Sequence, residues 1–205
     1  MVLLKNATDL YNYLDSQRKN HISIGFVPTM GALHEGHLSL LAKSKKENSI
    51  TVCSIFINPT QFNDPLDFEK YPVTIEQDIQ KLDSIDCDIL FLPSVDEIYP
   101  DGLNYNIHFA LGELETIWEG KYRPGHFQGV CLVVKRLLEI VQPDMLFLGQ
   151  KDFQQCKVIA KLIEILNFEK KIALIICPTM REPDGLAMSS RNMRLSDKQC
   201  RLSAW

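Results

Sequence analysis

The stretch ISIGFVPTMGALHEGH, residues 22–37, is the part of the sequence that decides the fold class. Its opening residues predict a strand over Ile22–Val27 that is buried on both faces, because they are apolar or small throughout. Two glycines in the turn that follows allow close backbone approach, and His34 and His37 stand one helical turn apart where a helix begins. The N-terminus of a helix favours an anion, so this arrangement suits a polyphosphate.

Outward from this stretch, short apolar runs alternate with segments of helical period. The runs predict further strands over Ile50–Ile57, Asp88–Leu92, Met145–Leu148 and Ile172–Cys177. Helices are predicted over a first segment capped by Thr8, with Leu10, Tyr13 and Leu14 on one face, and over His37–Glu47, Ile75–Ser84, His126–Val141 and Phe153–Leu166. The alternation predicts an α/β fold with a Rossmann-like, doubly wound parallel sheet, whose ligand lies in the crevice beyond the carboxyl ends of the strands.

Length and composition indicate one principal domain. The 205 residues are 45% hydrophobic, enough to bury a full core, and the turn at Arg181–Gly185 marks a boundary after the last strand. We therefore expect a domain over 1–178 and the start of a smaller C-terminal domain over 179–205. The 22 basic residues against 26 acidic ones form no basic stripe, which argues against a nucleic-acid partner.

The cellular location is predicted from what the chain lacks. Its first segment has no apolar centre of a signal peptide, and no apolar run approaches the roughly 18 residues of a membrane span. The six cysteines are scattered singly, without a CxxC pair, at Cys53, Cys87, Cys131, Cys156, Cys177 and Cys200. They are interpreted as reduced core thiols rather than zinc ligands. A cytoplasmic protein with no membrane partner is expected.

Polar residues follow three further apolar runs. The segment NPTQF, residues 58–62, offers neutral amides that orient a small polar substrate without adding charge. In GQKDFQQ, residues 149–155, Lys151 neutralises phosphate charge and Gln155 faces the crevice. In MSSR, residues 188–191, two hydroxyls and a guanidinium form a flexible phosphate clamp.

Each of these motifs has an ordinary explanation when it stands alone. The histidine pair then caps a helix or binds zinc, and NPTQF is an Asn-Pro turn. The Lys-Asp pair at 151–152 is a solvated helix cap, and MSSR is a surface loop. Their order along the chain, each after an apolar run, favours one common site.

The wording of five segments resembles a known family. They are PTMGALHEGH at 28–37, NPTQF at 58–62, RPGHFQGV at 123–130, KDFQQ at 151–155 and DGLAMSSRN at 184–192. The first resembles the HxGH signature of the nucleotidyltransferase superfamily. The whole set resembles the pantoate–beta-alanine ligase family, over about residues 22–196.

The resemblance implies an ATP-dependent ligase that joins pantoate to β-alanine in one crevice. The carboxylate of pantoate attacks the α-phosphorus of ATP, supplied with Mg²⁺, and gives pantoyl adenylate and pyrophosphate. The amine of β-alanine then displaces AMP to give pantothenate. Such an enzyme works by positioning, charge neutralisation and exclusion of water, and the family likeness also implies a homodimer.

The same resemblance assigns roles by motif match. His37 is the implied catalytic acid, with His34 and Lys151 beside it at the phosphates, and the imidazoles when protonated stabilise the charge of departing pyrophosphate. ATP is bound by Met30, Gly31, Ala32, Leu33, His34, Glu35, Gly36, His37, Gly149, Gln150, Lys151, Asp152, Met180, Met188, Ser189, Ser190 and Arg191. Pantoate is held by Gln61, Gln155 and Asn58, with Gln61 also at the β-alanine site. Asp78 is the implied magnesium ligand.

Some features depart from the family pattern or lack an implied role. Gln150 stands where the family commonly has Glu, and Arg123 and His126 match a motif without a single role. Family members continue beyond the Ser-Ser-Arg motif, so residues 179–205 are interpreted as the truncated beginning of a C-terminal lid domain. One alternative is another HxGH nucleotidyltransferase, which needs Arg or Lys in its second pocket for a phosphorylated acceptor. The other is a nucleotide-binding module without turnover.

Overall fold

Six parallel strands form one sheet in the computed structural model, which describes residues 1–103 and 107–195. The strands are β1 (Val2–Leu4), β2 (Ile24–Thr29), β3 (Ile50–Ile55), β4 (Ile89–Phe91), β5 (Met145–Gly149) and β6 (Ala173–Cys177). They lie in the order β1-β4-β3-β2-β5-β6, and every neighbouring pair is parallel. The predicted doubly wound α/β sheet is confirmed.

Helices cover both faces of the sheet. They are α1 (Ala7–Arg18), α2 (Glu35–Glu47), α3 (Pro65–Glu69), α4 (Ile75–Ser84), α5 (Val95–Ile98), α6 (Trp118–Tyr122), α7 (His126–Val141) and α8 (Phe153–Ile165). One buried cluster joins the sheet to α1, α7 and α8, and the other joins it to α2 and α4. Neighbouring strand residues point to opposite clusters, as Phe26 and Val27 do, and both are fully buried. Burial on both faces is the reason that these strands are continuous apolar runs.

The first strand and the first helix differ from the prediction. β1 was not predicted, because three residues of an edge strand carry too little pattern; it pairs with β4 through Val2 and Ile89. α1 is capped by Asn6, whose side chain accepts from two backbone N–H groups, so the predicted cap at Thr8 is wrong. Leu10 and Leu14 are buried as expected, but Tyr13 is 38% exposed on another face of the helix.

Most other elements lie where they were expected. The helices over Ile75–Ser84 and His126–Val141 have their predicted bounds. α2 begins two residues earlier than predicted, at Glu35, because His34 is its cap. The short helices α3, α5 and α6 were not predicted, since four or five residues are too few to show a helical period.

The chain reverses its direction of winding between the two central strands. From β2 it crosses to β3 on one side, and from β5 it crosses to β6 on the other, while β2 and β5 pair with each other through Gly25–Met145 and Phe26–Leu146. Open α/β sheets bind ligands at such a switch point, beyond the carboxyl ends of the strands. The segments that follow β2 and β5 are PTMGALHEGH and GQKDFQQ, so the fold brings these two motifs side by side.

Three remaining expectations concern the C-terminal part, the thiols and membranes. A bridge between Arg181 and Ala187 closes a turn, which a 3₁₀ helix over Ser190–Arg194 follows. The boundary at 178 stays a prediction, and residues 196–205 lie outside the described residues. Five cysteines are buried and form no disulfide within the described part, while Cys200 lies beyond it. Over the same part of the chain, no helix is long and apolar enough to span a bilayer.

Candidate active site

A cavity of about 230 Å³ opens at the carboxyl ends of β2 and β5. All four motifs line it, which the sequence predicted from their position after strands. Its lining includes the predicted residues Met30, His34, Gly36, His37, Asn58, Gln61, Gly149, Lys151, Asp152, Gln155, Met180, Met188, Ser189, Ser190 and Arg191. The fold therefore assembles amide, imidazole, hydroxyl and cationic side chains around one space.

A few predicted site residues stand outside that lining. Gly31, Ala32 and Leu33 are buried one layer behind the cavity wall, and Glu35 is exposed at the start of α2. Gln150 lines a separate, more open depression together with Lys151 and Arg181. Asp78 is also outside the lining and is completely buried beneath the turn that precedes α2.

His34 and His37 cap α2 and face the cavity at the same time. The Nδ1 atom of His34 accepts from the backbone N–H of Gly36 at 3.1 Å, and the Nδ1 atom of His37 accepts from the backbone N–H of His34 at 3.3 Å. A side chain on Gly36 would lie 2.9 Å from the Nδ1 atom of His34, so glycine is needed there. Because Nδ1 accepts in both rings, the proton of each neutral imidazole is on Nε2 and available to the cavity.

The two imidazoles are neutral at neutral pH. Burial, with the nearby cations Lys151 and Lys81, lowers the pKa of His34 to about 4. Burial, with His34 beside it at a ring-centroid distance of 4.0 Å, lowers the pKa of His37 to about 3. Two capacities are predicted for these rings from the sequence, hydrogen bonding to phosphoryl oxygens and, when protonated, charge stabilisation; the lowered pKa values favour the neutral, hydrogen-bonding form. Burial, the main cause of the lowered pKa values, is not visible in a local motif.

The segment NPTQF is a 3₁₀ turn held from below by Asn58. This side chain is only 1% exposed, and its Oδ1 atom accepts from the hydroxyl of Tyr99 at 2.7 Å and from that of Thr60 at 3.0 Å. Its Nδ2 atom donates to the carbonyl of Gly129 at 3.2 Å and to Oε1 of Gln61 at 3.1 Å. Asn58 therefore supports Gln61, and Gln61 is the amide that has room to meet a ligand.

The backbone of Gln61 is held by two residues to which sequence reasoning assigned no role. Nδ1 of His126 lies 2.7 Å from the carbonyl oxygen of Gln61, and the guanidinium of Arg123 donates to the same oxygen at 3.4 Å. Arg123 is itself paired with Glu119 at 2.6 Å. The RPGHFQGV segment thus positions the amide-bearing turn, which is a tertiary contact that no local pattern reveals.

Two cations reach the cavity, and each has a carboxylate partner in this state. Nζ of Lys151 lies 2.9 Å from Oδ1 of Asp152, and Nη2 of Arg191 lies 2.8 Å from Oδ2 of Asp67. The guanidinium of Arg191 also lies over the ring of Tyr71, 5.7 Å from its centroid. These pairs are partly exposed, so they cost little to exchange for phosphate oxygens.

An apolar wall was missed by sequence reasoning. One side of the cavity is formed by α7 through Val130, Val133, Val134 and Leu137. Their spacing is the i, i+3, i+4, i+7 pattern of a helix face, which a sequence shows but which more often marks core. Only the position of α7 beside the crevice separates a cavity wall from a core stripe.

Comparison with known proteins identifies the family. A family model described as pantoate-beta-alanine ligase matches residues 2–204. The chain belongs to the pantoate–beta-alanine ligase family. The pantothenate synthetase of Cytophaga hutchinsonii is 54% identical over 182 residues, which are 89% of this chain and 62% of that protein. The one of Francisella tularensis subsp. novicida is 50% identical over 96% of this chain and 74% of that protein.

Solved structures of family members share the fold. The pantoate-beta-alanine ligase of Francisella tularensis, complexed with beta-gamma ATP and beta-alanine, superposes with a TM-score of 0.88 at 47% identity, over 96% of this chain and 74% of that one. The pantothenate synthetase of Thermus thermophilus gives 0.91 at 40% identity, over all of this chain and 71% of that one. This chain thus spans 62% to 74% of the length of these four relatives.

Proposed function

We propose that this chain carries the catalytic crevice of an ATP-dependent ligase that condenses pantoate with β-alanine to give pantothenate, AMP and pyrophosphate. The observation that carries the proposal is the meeting of the histidine motif, NPTQF, GQKDFQQ and MSSR around one cavity at the switch point of the sheet. The Francisella tularensis relative, whose structure is complexed with beta-gamma ATP and beta-alanine, supports the same assignment.

The chemistry of pantoate fits the lining of the cavity. Its hydroxyls and carboxylate match the neutral amides of Gln61 and Gln155, and its geminal methyl groups match the apolar wall of α7. Met30 lies beside Gln61, with Sδ 2.9 Å from Nε2 of that amide. In this proposal Met30 therefore separates the pantoate pocket from the phosphates.

The first step joins the carboxylate of pantoate to the α-phosphorus of ATP. A carboxylate oxygen forms the new P–O bond, the bond between the α-phosphorus and its bridging oxygen breaks, and pyrophosphate leaves with the electron pair. The Nε2–H groups of His34 and His37 donate to the phosphate oxygens as neutral donors, and Lys151 and Arg191 neutralise the leaving charge. The hydroxyls of Ser189 and Ser190 complete this clamp.

The second step breaks the acyl–oxygen bond of pantoyl adenylate. The amine of β-alanine attacks the carbonyl carbon, AMP leaves with the bonding pair, and the nitrogen releases a proton as the amide forms. Gln61 borders both pockets and orients the two substrates. No nucleophilic side chain is needed, because the adenylate already has a good leaving group.

Magnesium enters this scheme as part of the ATP substrate. The structure offers no group of three or more His, Cys, Asp or Glu side chains for a metal within residues 1–103 and 107–195. The carboxylate of Asp78 is already bonded to two backbone N–H groups and does not line the cavity. Asp78 therefore does not fit the role of a direct magnesium ligand, and the phosphates are the group that carries the ion.

A transferase acting on a phosphorylated acceptor is the second candidate. It needs a cation in the pocket that receives the acceptor. Among the described residues that line the cavity, the Lys and Arg side chains are Lys151 and Arg191, and both belong to motifs assigned to the phosphates of ATP. The neutral amides opposite them favour pantoate.

The test uses the protein with MgATP and added substrates. With pantoate alone we expect pantoate-dependent release of pyrophosphate, and with β-alanine we also expect AMP and pantothenate, measured by mass spectrometry. Pyrophosphate release that needs a phosphorylated acceptor instead of pantoate would support the transferase. Binding of ATP with no AMP formed under any condition would support a binding module and reject the ligase.

The role of His37 is tested separately from substrate binding. We expect His37→Ala to lower the rate of pyrophosphate release by about 10² to 10³-fold, as for other lost transition-state donors, with little change in pantoate affinity. His37→Asn keeps a neutral donor and should recover part of the rate. Equal losses of rate and of pantoate affinity in the alanine variant would contradict this role. A rate that falls steeply from about pH 5 to about pH 7 in the wild type, but not in the His37 variants, would instead favour a protonated His37 as the catalytic acid.

Two expectations from the sequence stay predictions: a homodimer and a cytoplasmic location. Sedimentation of the purified chain tests the first, and fractionation of the cells that make it tests the second.

A further inference from the structure

Asp78 is a fully buried carboxylate at the start of α4, directly under the turn that leads to the histidine pair. Its Oδ1 atom accepts from the backbone N–H of Leu33 at 2.7 Å, and its Oδ2 atom accepts from that of Ala32 at 2.9 Å. The hydroxyl of Thr74 lies 3.3 Å from both oxygens. A buried charge is costly unless it is fully bonded, so this arrangement commits the carboxylate to the turn.

The turn that Asp78 holds has an unfavourable backbone. Gly31 has a φ of 81° and Ala32 a φ of 49°, and the left-handed region is disfavoured for any residue with a Cβ atom. A side chain on Gly31 would lie 3.2 Å from Oδ2 of Asp78, so the carboxylate and the turn are in close contact. Such a conformation persists only where the surroundings hold it, and here the two N–H groups bound by Asp78 come directly after the strained φ angles.

Other contacts hold the same turn from different sides. The ammonium of Lys81, one turn further along α4, donates to the carbonyl of Leu33. The hydroxyl of Ser190 donates to the carbonyl of Ala32 at 3.1 Å, which ties the fourth motif to the first. Asp78 and Lys81 thus hold an N–H and a C=O of the residue immediately before His34.

We propose that Asp78 is a positioning residue, which acts through the backbone of Ala32 and Leu33 to aim the Nε2–H groups of His34 and His37 into the crevice. This inference rests on the proposed function. It differs from a role in metal binding, because the carboxylate is completely buried beneath the turn, accepts from two of its N–H groups and does not line the cavity. A misplacement of about 1 Å in catalytic groups costs up to about 10²-fold in rate.

The decisive variant is Asp78→Asn, with Glu76→Gln as its control. The amide replaces one acceptor oxygen by an NH₂ group that faces a backbone N–H, so one of the two bonds is lost. Glu76 is on the same turn of α4, and its variant makes the same change of charge away from the site. We expect Asp78→Asn to lower the rate of pyrophosphate release by ~10-fold or more, with the pantoate KM within about twofold of wild type. The control should match wild type.

Two further measurements separate positioning from metal binding. The half-saturating concentration of Mg²⁺ should be the same in Asp78→Asn and wild type. Imidazole proton–nitrogen NMR correlations of His34 and His37, recorded without nucleotide and without metal, should shift in Asp78→Asn and stay in place in Glu76→Gln. A changed Mg²⁺ requirement with unshifted imidazole signals would overturn the proposal, and so would wild-type activity of the variant.

If Asp78→Asn does not fold, Thr74→Val gives the same test in a milder form. Thr74 makes no side-chain cap bond to α4, so its valine variant removes only the hydroxyl that lies against the carboxylate. A smaller rate loss with the same imidazole shift supports positioning, and no shift rejects it. The NMR readout needs no turnover, so it remains decisive even if the wild-type chain proves not to be a ligase.

Discussion

At the scale of single residues, His34 and His37 each use the Nδ1 atom of the ring to cap α2, and the proposed function assigns the Nε2–H group to the phosphates. The Nδ1 atoms accept from backbone N–H groups at the start of α2, which places the proton of each neutral ring on Nε2, and both residues line the cavity. The ordinary explanation of the pair as a helix cap is therefore correct and does not compete with a catalytic one. The hydrogen bonds of the cap hold the two imidazole rings in place.

Asn58 and Gln61 lie in one short turn but have separable tasks. Gln61→Ala should weaken pantoate binding and leave the free energy of unfolding nearly unchanged, because this amide faces the cavity. Asn58→Ala should lower the free energy of unfolding by about 1–3 kcal/mol. The variant removes the side chain that accepts from the buried hydroxyl of Tyr99 and donates to the carbonyl of Gly129. Calorimetric titration and urea denaturation measure the two quantities. Identical profiles for both variants would contradict the division.

At the scale of elements, α7 shapes the site from two sides. Its valine stripe forms the apolar wall, and Gly129 lets the helix approach the NPTQF turn closely, because a Cβ atom there would overlap the carbonyl oxygen of Thr60. The contact explains a glycine at the fourth residue of α7, where the helix begins beside the turn. The helix therefore sets the distance between the amide turn and the apolar wall of the cavity.

Gly129→Ala tests this close approach. In an ordinary helix interior the change stabilises by about 1 kcal/mol, but here overpacking should destabilise the chain by about 1–3 kcal/mol. Pantoate affinity should fall as well, since Gln61 moves with the turn. Gly149→Ala is the matched control for stability, because its φ is −82° and a Cβ atom would meet nothing within 4 Å. If Gly129→Ala stabilises the chain, the NPTQF turn moves to accommodate the added methyl group, and the prediction is wrong.

At the scale of the whole molecule, burial of ionisable groups makes stability depend on pH. The pKa values of His34 and His37 are about 4 and about 3 in the folded chain, against 6.5 for an ordinary histidine. Burial also lowers the pKa of His126. Between these values and 6.5 the unfolded chain binds more protons than the folded one, so stability falls as the pH falls through this range.

The expected result is a urea midpoint that decreases from about pH 6.5 down to about pH 4. His37→Asn removes one of the titrating groups, so its midpoint should depend less on pH over this range. His21→Asn is the control, because His21 is exposed and its φ of 57° is one that asparagine tolerates. If His37→Asn and His21→Asn retain the same pH dependence as wild type, the buried imidazoles do not link protons to folding.

The site was predictable to the extent that its groups follow strands along the chain. A parallel sheet puts the carboxyl ends of its strands on one edge, so NPTQF and GQKDFQQ were expected beside the histidine motif and lie there. The supporting contacts of Asn58, His126 and Asp78 join residues about 40 to 70 positions apart, and no periodicity encodes them.

The sequence by itself determined the five longer apolar strands, the main helices between them, the sheet class and the family motifs, because strand burial, helical period and turn chemistry are local properties of the chain. Only the tertiary structure decided which ring nitrogens face the cavity, that the histidines rest neutral, and that Asp78 bonds the turn instead of lining the crevice. These properties depend on burial and on groups from distant segments. Burial and these long-range contacts arise only when the chain folds and the sheet brings the segments after its strands together.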